Sequence, residues 1–271
     1  MSENQKRILT ALAGAPVAVA LAYTGGASFA VAIALVGLVA QMELYRMAQR
    51  AGTEPSVGSG LVLGALVVAV MGAPSFWPAG VIGLLAYIVA APFFVPREQF
   101  LPSVGITITG ALYPTALLGS LVLLRNEYIP EGGVRTAFWL VVLTLLLVWA
   151  TDIFAYYVGS WIGERPLAPE ISPNKTWEGT LGGFAAAAAV AVGGKLVLVP
   201  LLGWGDVVAL AVLGGGVSQV GDLMESQLKR STDTDDSSGL LPGHGGVLDR
   251  FDAMAVAAPL IYVYLHLSGV L

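Results

Sequence analysis

The sequence predicts an all-α, polytopic integral membrane protein of about nine transmembrane helices, and three observations predict it. Apolar residues make up 56% of the 271 positions and charged residues only 11%, against about 25% charged in soluble domains. Mean hydropathy is +0.78. The apolar residues also fall into runs near the ~20 that a helix needs to cross a bilayer. This composition excludes a soluble globular domain, a disordered chain and a nucleic-acid-binding protein with a basic surface. The chain has no cysteine, so disulfides, thiolate metal sites and Cys nucleophiles are excluded too.

In chain order the expected spans are Ile8–Tyr23, Ala27–Tyr45, Gly58–Met71, Trp77–Val95, Ser103–Leu124, Val134–Tyr157, Gly179–Val199, Asp206–Leu228 and Leu248–Leu267. Only the turn Gly25-Gly26 separates the first two, and the third is short. The other connections carry turn chemistry: Ala73-Pro74, Pro96, Pro102, Glu131-Gly132-Gly133 and Gly203-Trp204-Gly205. A cleavable signal peptide is not expected, because the first apolar stretch runs straight into the second.

Lys and Arg concentrate on the cytoplasmic side of membrane proteins. With the N-terminus inside, ten of the 13 basic residues fall inside: Lys6, Arg7, Arg46, Arg50, Arg97, Arg165, Lys175, Lys229, Arg230 and Arg250. Arg125, Arg135 and Lys195 fall outside. The two longest polar stretches, Trp161–Glu178 and Lys229–Arg250, then share the cytoplasmic face. The expected organisation is a single membrane domain over 1–271. Residues 1–133 form a scaffold-like half, nearly free of intramembrane acids, and residues 134–271 form a chemically equipped half.

That second half carries Asp152, Asp222, Glu225, Asp249 and Asp252 in or beside apolar spans. A carboxylate at the bilayer centre costs about 2.5–3.5 kcal/mol on insertion scales, so each needs a metal ion, a basic partner, water or a cap. Asp152 and Asp206 lie near span ends, where a capping or headgroup-level role is as good a reading as a functional one, and Asp206 is placed to open its helix. Asp222 and Glu225 are three apart on one helix face, as are Asp249 and Asp252 on the next helix. Two such pairs at cytoplasmic helix ends make a hard-oxygen site suited to Mg²⁺. Asp222 and Asp249 are the expected ligands, with Glu225 and Asp252 as second choices.

Between these helices lies a loop with Lys229, Arg230, several acids and the cluster Pro242-Gly243-His244-Gly245-Gly246. Glycine-rich backbone can approach a phosphate closely and aim N–H groups at it. The segment from Ser172 to Gly179 offers Lys175, hydroxyls and a helix N-terminus, all suited to an anion. His244 alone reads as a turn residue; among glycines in a charged loop, phosphate contact or acid–base work is an equal reading. Together these features describe Mg²⁺ and polyphosphate chemistry at a membrane face, pairing a cytosolic nucleotide with a bilayer lipid.

The string Ser226-Gln227-Leu228-Lys229-Arg230, then Asp235-Asp236, then Pro242 through Gly243, His244, Gly245, Gly246, Asp249 and Arg250 to Asp252 closely resembles the signature of phosphatidate cytidylyltransferases (CDP-diacylglycerol synthases). Asp152 to Tyr156, Ser172 to Gly179 and Gly221 to Ser226 are similar to that family as well. The resemblance covers roughly Val134 to the C-terminus. It implies transfer of cytidylyl from CTP to phosphatidate with Mg²⁺, at the cytoplasmic face of a bacterial inner membrane, by a helical and homodimeric protein. Asp222, Asp249, Lys175, Lys229, Arg230, His244 and Arg250 are then the expected catalytic residues. The expected substrate contacts add Ser172, Asn174, Ser226, Asp236, Gly243, Gly245 and Gly246. One departure stands out: the family has Lys-Asp where this chain has Asp235-Asp236, which puts an acid where a phosphate-facing cation is expected. Alternatives are a related CTP-dependent lipid kinase, an ether-lipid cytidylyltransferase, or an ion-coupled transporter. A transporter would need its acids near the midplane at broken helices.

Overall fold

The computed structural model describes residues 3–130, 132–241, 243 and 245–271, with side chains from residue 14 onward. Glu131, Pro242 and His244 therefore lie outside the described residues. Among those described, the chain forms nine helical segments: α1 (Glu3–Thr24), α2 (Gly26–Arg50), α3 (Val57–Gly72), α4 (Pro74–Phe93), α5 (Arg97–Asn126), α6 (Gly133–Ile162), α7 (Trp177–Leu198), α8 (Trp204–Ser231) and α9 (Leu248–Leu267). Each coincides with one expected apolar run.

Six of them (α2, α4, α5, α6, α7 and α8) are long and apolar enough to cross a membrane. The other three explain the difference from nine. In α1 the apolar stretch with described side chains is only Gly14–Thr24, and α3 has 16 residues. The first turns of α9 hold Asp249, Arg250 and Asp252. Among the described residues the fold also departs from all-helical in a short hairpin. The polar stretch before α7 is a two-stranded antiparallel hairpin, β1 (Pro166–Ala168) with β2 (Ser172–Thr176).

Local chemistry explains the element ends. Gly25 and Gly26 take φ of 61° and 53° between α1 and α2, a backbone region that glycine enters without Cβ strain. Thr176 caps α7 by accepting from the Gly179 N–H at 3.2 Å. Asp206 does open α8: its carboxylate accepts the Gly203 N–H at 2.6 Å and the Tyr264 hydroxyl at 2.8 Å. α5, α7 and α8 each contain a π-helical stretch, at Ala111–Ala116, Gly194–Leu198 and Val212–Val217. The first contains Pro114, which cannot donate to the helix ladder, and the third contains Gly214, Gly215 and Gly216.

The chain divides into two compact units. The first comprises Met1–Leu123 with Leu228–Phe251, the second Leu124–Gln227 with Asp252–Leu271. Water is absent from a bilayer core, so buried polar groups must satisfy one another. In the first unit they do so around Gln41. Its amide donates to the Tyr45 hydroxyl and to the Gly60 carbonyl, each at 2.7 Å, and accepts from Thr115 at 2.8 Å. Tyr45 in turn donates to the Thr107 carbonyl at 2.6 Å. Gly60 and Gly110 are required here, since a Cβ on either would collide with the Tyr45 ring.

The second unit is built on close helix contact. Gly179, Gly183, Ala187 and Ala191 form a buried i, i+4 stripe along α7, the small-residue spacing that lets membrane helices approach. A Cβ at Gly183 would meet the Thr151 carbonyl of α6. Thr151 also donates to the Gly214 carbonyl at 3.0 Å, tying α6 to α8.

Candidate functional site

In the second unit, the hairpin brings Lys175, the penultimate residue of β2, to α8. Its Nζ stands 2.5 Å from Asp222 Oδ2, with side-chain exposures of 24% and 35%. The pair is thus open to solvent on part of its surface. Asp222 also lies within hydrogen-bonding reach of Asp252 on α9, and Glu225 stands close enough to act on Asp252 electrostatically. Asp252 and Glu225 are buried. Asp252 Oδ1 accepts the Ala253 N–H at 2.7 Å. The α8–α9 approach is tight, because a Cβ at Gly221 would meet the Asp252 carbonyl. Asp222 thus joins Lys175 on one side to Asp252 and Glu225 on the other, an acid-rich set that favours a cation. The acids' all-oxygen chemistry fits Mg²⁺, although among the described residues no three acids or histidines are arranged as a ready cage.

In the first unit, Asp249 serves as an organiser of the loop before α9. Its side chain is 3% exposed and accepts from Lys229 Nζ at 3.1 Å. It also accepts the Gly246 N–H at 2.7 Å, the Ser237 N–H at 3.1 Å and the Ser237 hydroxyl at 3.0 Å. The reach back to Gly246, three residues earlier, is that of an acid closing a helix N-terminus. Gly245 has φ of 75°, and Gly246 is packed so closely that a Cβ would press on Ser237 and on Glu43. Leu241 and Gly245 form a one-rung bridge with Gly243, at φ 73°, in the turn between them. The Gly246 N–H, at the end of the glycine-rich cluster, is thereby drawn inward onto a carboxylate.

Glu43, on α2, is the residue that sequence reasoning missed. It is 2% exposed and accepts four hydrogen bonds: from the N–H groups of Val247 at 3.0 Å and Leu248 at 2.7 Å, and from the hydroxyls of Ser237 at 3.1 Å and Ser238 at 2.6 Å. Two carboxylates, Glu43 and Asp249, thus clamp one loop from opposite ends of the sequence. The available signal was a single acid in the apolar run of α2. The expectation of a half nearly free of intramembrane acids passed over it.

The structure therefore gathers Lys175, Asp222, Glu225 and Asp252 in one unit, and Lys229, Asp249, Gly245 and Gly246 in the other. Ser226 is half-buried on α8 beside Glu225. Ser172 is half-buried and Asn174 exposed on β2; Arg230, Asp236 and Arg250 are exposed, and Gly243 is half-buried. His244 lies outside the described residues. Asp152 is exposed on α6. Asp235 is exposed, whereas its neighbour Ser237 is buried.

Similarity to known proteins bears on this arrangement. A profile of the Cytidylyltransferase family matches residues 5–268. Among curated proteins, phosphatidate cytidylyltransferase of Brucella abortus biovar 1 (strain 9-941) is 37% identical over 97% of this chain and 94% of its own length. The protein of the same name in Pseudomonas aeruginosa is 36% identical over 98% of both chains. Its counterpart in Bacillus subtilis (strain 168) is 33% identical over 98% of this chain and 99% of its own length. The match extends over the N-terminal helices and Glu43 as well as the signature loop, and on that whole-length similarity the chain belongs to the cytidylyltransferase family.

Proposed function

We propose that this protein is a phosphatidate cytidylyltransferase, converting CTP and phosphatidate to CDP-diacylglycerol and pyrophosphate. The observation that carries this reading is the near-full-length similarity to curated proteins of that name in several bacteria. A phosphate oxygen of phosphatidate forms a bond to the CTP α-phosphorus, and the α–β anhydride bond breaks to release pyrophosphate. The nucleophile is already anionic near neutral pH, so it needs little activation. The difficulty is electrostatic, since two polyanions must meet.

The chain's residues suit that task. Lys175 and Lys229 are held by carboxylates but remain partly exposed, at 24% and 20% of their side chains. The Lys175–Asp222 pair is open on both sides and contributes little net stability, about 0–1 kcal/mol, so an incoming phosphate can take over that ammonium at small cost; Asp249 is buried but keeps the Gly246 and Ser237 donors when Lys229 turns to a phosphate. Arg230 and Arg250 are exposed and add charge. The remaining expected contacts, Ser172, Asn174, Ser226, Asp236, Gly243, Gly245, Gly246 and His244, supply hydroxyls, amides and close backbone. Asp222, Glu225 and Asp252 in one unit and Asp249 in the other are the acids to which we assign metal binding. Bound Mg²⁺ would supply positive charge to neutralise and orient the phosphates.

The finer placement is part of the same proposal: a bacterial inner membrane protein with nine spans, its N-terminus inside, its polar loops on the cytoplasmic face, working as a homodimer. The bias of ten basic residues in 13 toward one face supports the orientation. The test is direct. Purified protein in phosphatidate-containing vesicles should yield CDP-diacylglycerol from CTP, identified by mass. No such product, with CTP intact, would overturn the reading.

A further inference from the structure

Along α2, Leu35, Leu38, Val39, Met42 and Arg46 fall at helical spacing on one face. They line a groove of about 510 Å³ with Leu61 of α3 and the loop residues Ser238, Gly239 and Leu240. Every lining residue belongs to the first unit. From Leu35 to Arg46 is eleven residues, a rise of ~16 Å. That is close to half of the ~30 Å hydrocarbon thickness, the depth of one leaflet. The walls are apolar, and Leu240 is 58% exposed although it sits in a polar loop.

Polarity is confined to one end, where Arg46, Glu43 and Ser238 stand. Glu43 and Ser238 are occupied with each other and with the loop backbone. Arg46 is exposed and makes no ion pair or hydrogen bond among the described residues. An uncompensated guanidinium at the mouth of an apolar, leaflet-deep groove matches a molecule with an anionic head and an acyl tail. Arg is well suited to that head, because its fork of donors matches phosphate oxygens.

We propose that this groove seats one acyl chain of the lipid substrate, with Arg46 holding its phosphate beside the loop that Glu43 and Asp249 clamp. This rests on the reading of the protein as a phosphatidate-using enzyme, and it identifies where that lipid waits. The test places p-benzoylphenylalanine at Val39 in full-length protein in nanodiscs of phosphatidylcholine doped with phosphatidate, with adducts identified by mass after illumination. Phosphatidate adducts should exceed the mole fraction of that lipid severalfold, and Arg46→Gln should abolish the enrichment. Arg46→Gln should also raise the KM for phosphatidate ~10-fold, the scale of one charge-assisted hydrogen bond, with the KM for CTP unchanged. Adducts in simple proportion to lipid composition, or adducts to a second copy of the chain, would overturn the groove assignment. If wild-type protein in the same discs makes no CDP-diacylglycerol, the functional reading fails instead, whatever the adducts show.

Discussion

Replacing Glu43 by Gln keeps the volume and changes only what the side chain can accept. The amide oxygen can retain the pair now made by Oε1, the Ser238 hydroxyl and the Val247 N–H. The amide nitrogen then points at the Leu248 N–H, which now stands 2.7 Å from Oε2, and two donors face each other. Flipping the amide moves the conflict to Val247. Either way, one N–H at the start of α9 loses its acceptor in a buried place. An unsatisfied buried donor costs about 1–3 kcal/mol, and loss of negative charge at a helix N-terminus adds about 0.3–1 kcal/mol. A total of about 1.3–4 kcal/mol corresponds to ~10- to ~1000-fold more frequent opening of the loop. Hydrogen exchange read by mass spectrometry on peptides covering 237–250 measures this directly in folded protein. The same variant should lower kcat/KM at least ~10-fold, because Ser237, Gly246 and Asp249 move with the loop. Unchanged exchange in those peptides would refute the clamp, and unchanged turnover would refute its link to catalysis.

Four further outcomes follow from the same geometry. Asp222→Asn should cost ~10²–10³ in turnover at saturating Mg²⁺, the usual scale for losing one electrostatic element of a site; near-full activity would remove Asp222 from it. Lys175→Ala should lower kcat/KM at least ~10-fold, with the helical circular dichroism unchanged. Gly246→Ala would push a methyl against Ser237 and the Glu43 carboxylate; it should destabilise by about 1–3 kcal/mol and reproduce the exchange pattern of Glu43→Gln. Asp235→Lys should leave folding intact, because the residue is exposed. It should lower the KM for CTP modestly at low salt and less at high salt, whereas a large loss of activity would give Asp235 an ionic role of its own.

Much of this fold was legible because a bilayer leaves few choices. Each apolar run became a helix, the Gly25-Gly26 break fell where φ turns positive, and Asp206 capped α8 as its position suggested. What sequence spacing could not show was partnership. Asp249 and Asp252 share an i, i+3 spacing, yet Asp249 faces the loop while Asp252 faces Asp222. Lys175 reaches Asp222 only because residues 166–176 fold into a hairpin, and Ser-Pro-Asn-Lys carries no strong strand signal. Glu43 was hardest of all. Its four partners lie 194 to 205 residues away, so no local pattern marks it, and a lone acid in an apolar run reads as an accident of composition. The shortfall from nine to six long apolar helices has a plain cause. Among the described residues, the first turns of α9 carry the charges Asp249, Arg250 and Asp252, and α3 is short.

The central claim, that a cytidylyl group passes from CTP to phosphatidate, is tested most directly by following two phosphorus labels. Purified protein is given phosphatidate vesicles and CTP labelled either at the α- or at the γ-phosphorus, and the lipid and aqueous fractions are counted. Cytidylyl transfer predicts α-label in the lipid and γ-label in aqueous pyrophosphate. Label from the γ-position in the lipid, with none from the α-position, would make the protein a CTP-dependent lipid kinase and contradict the account.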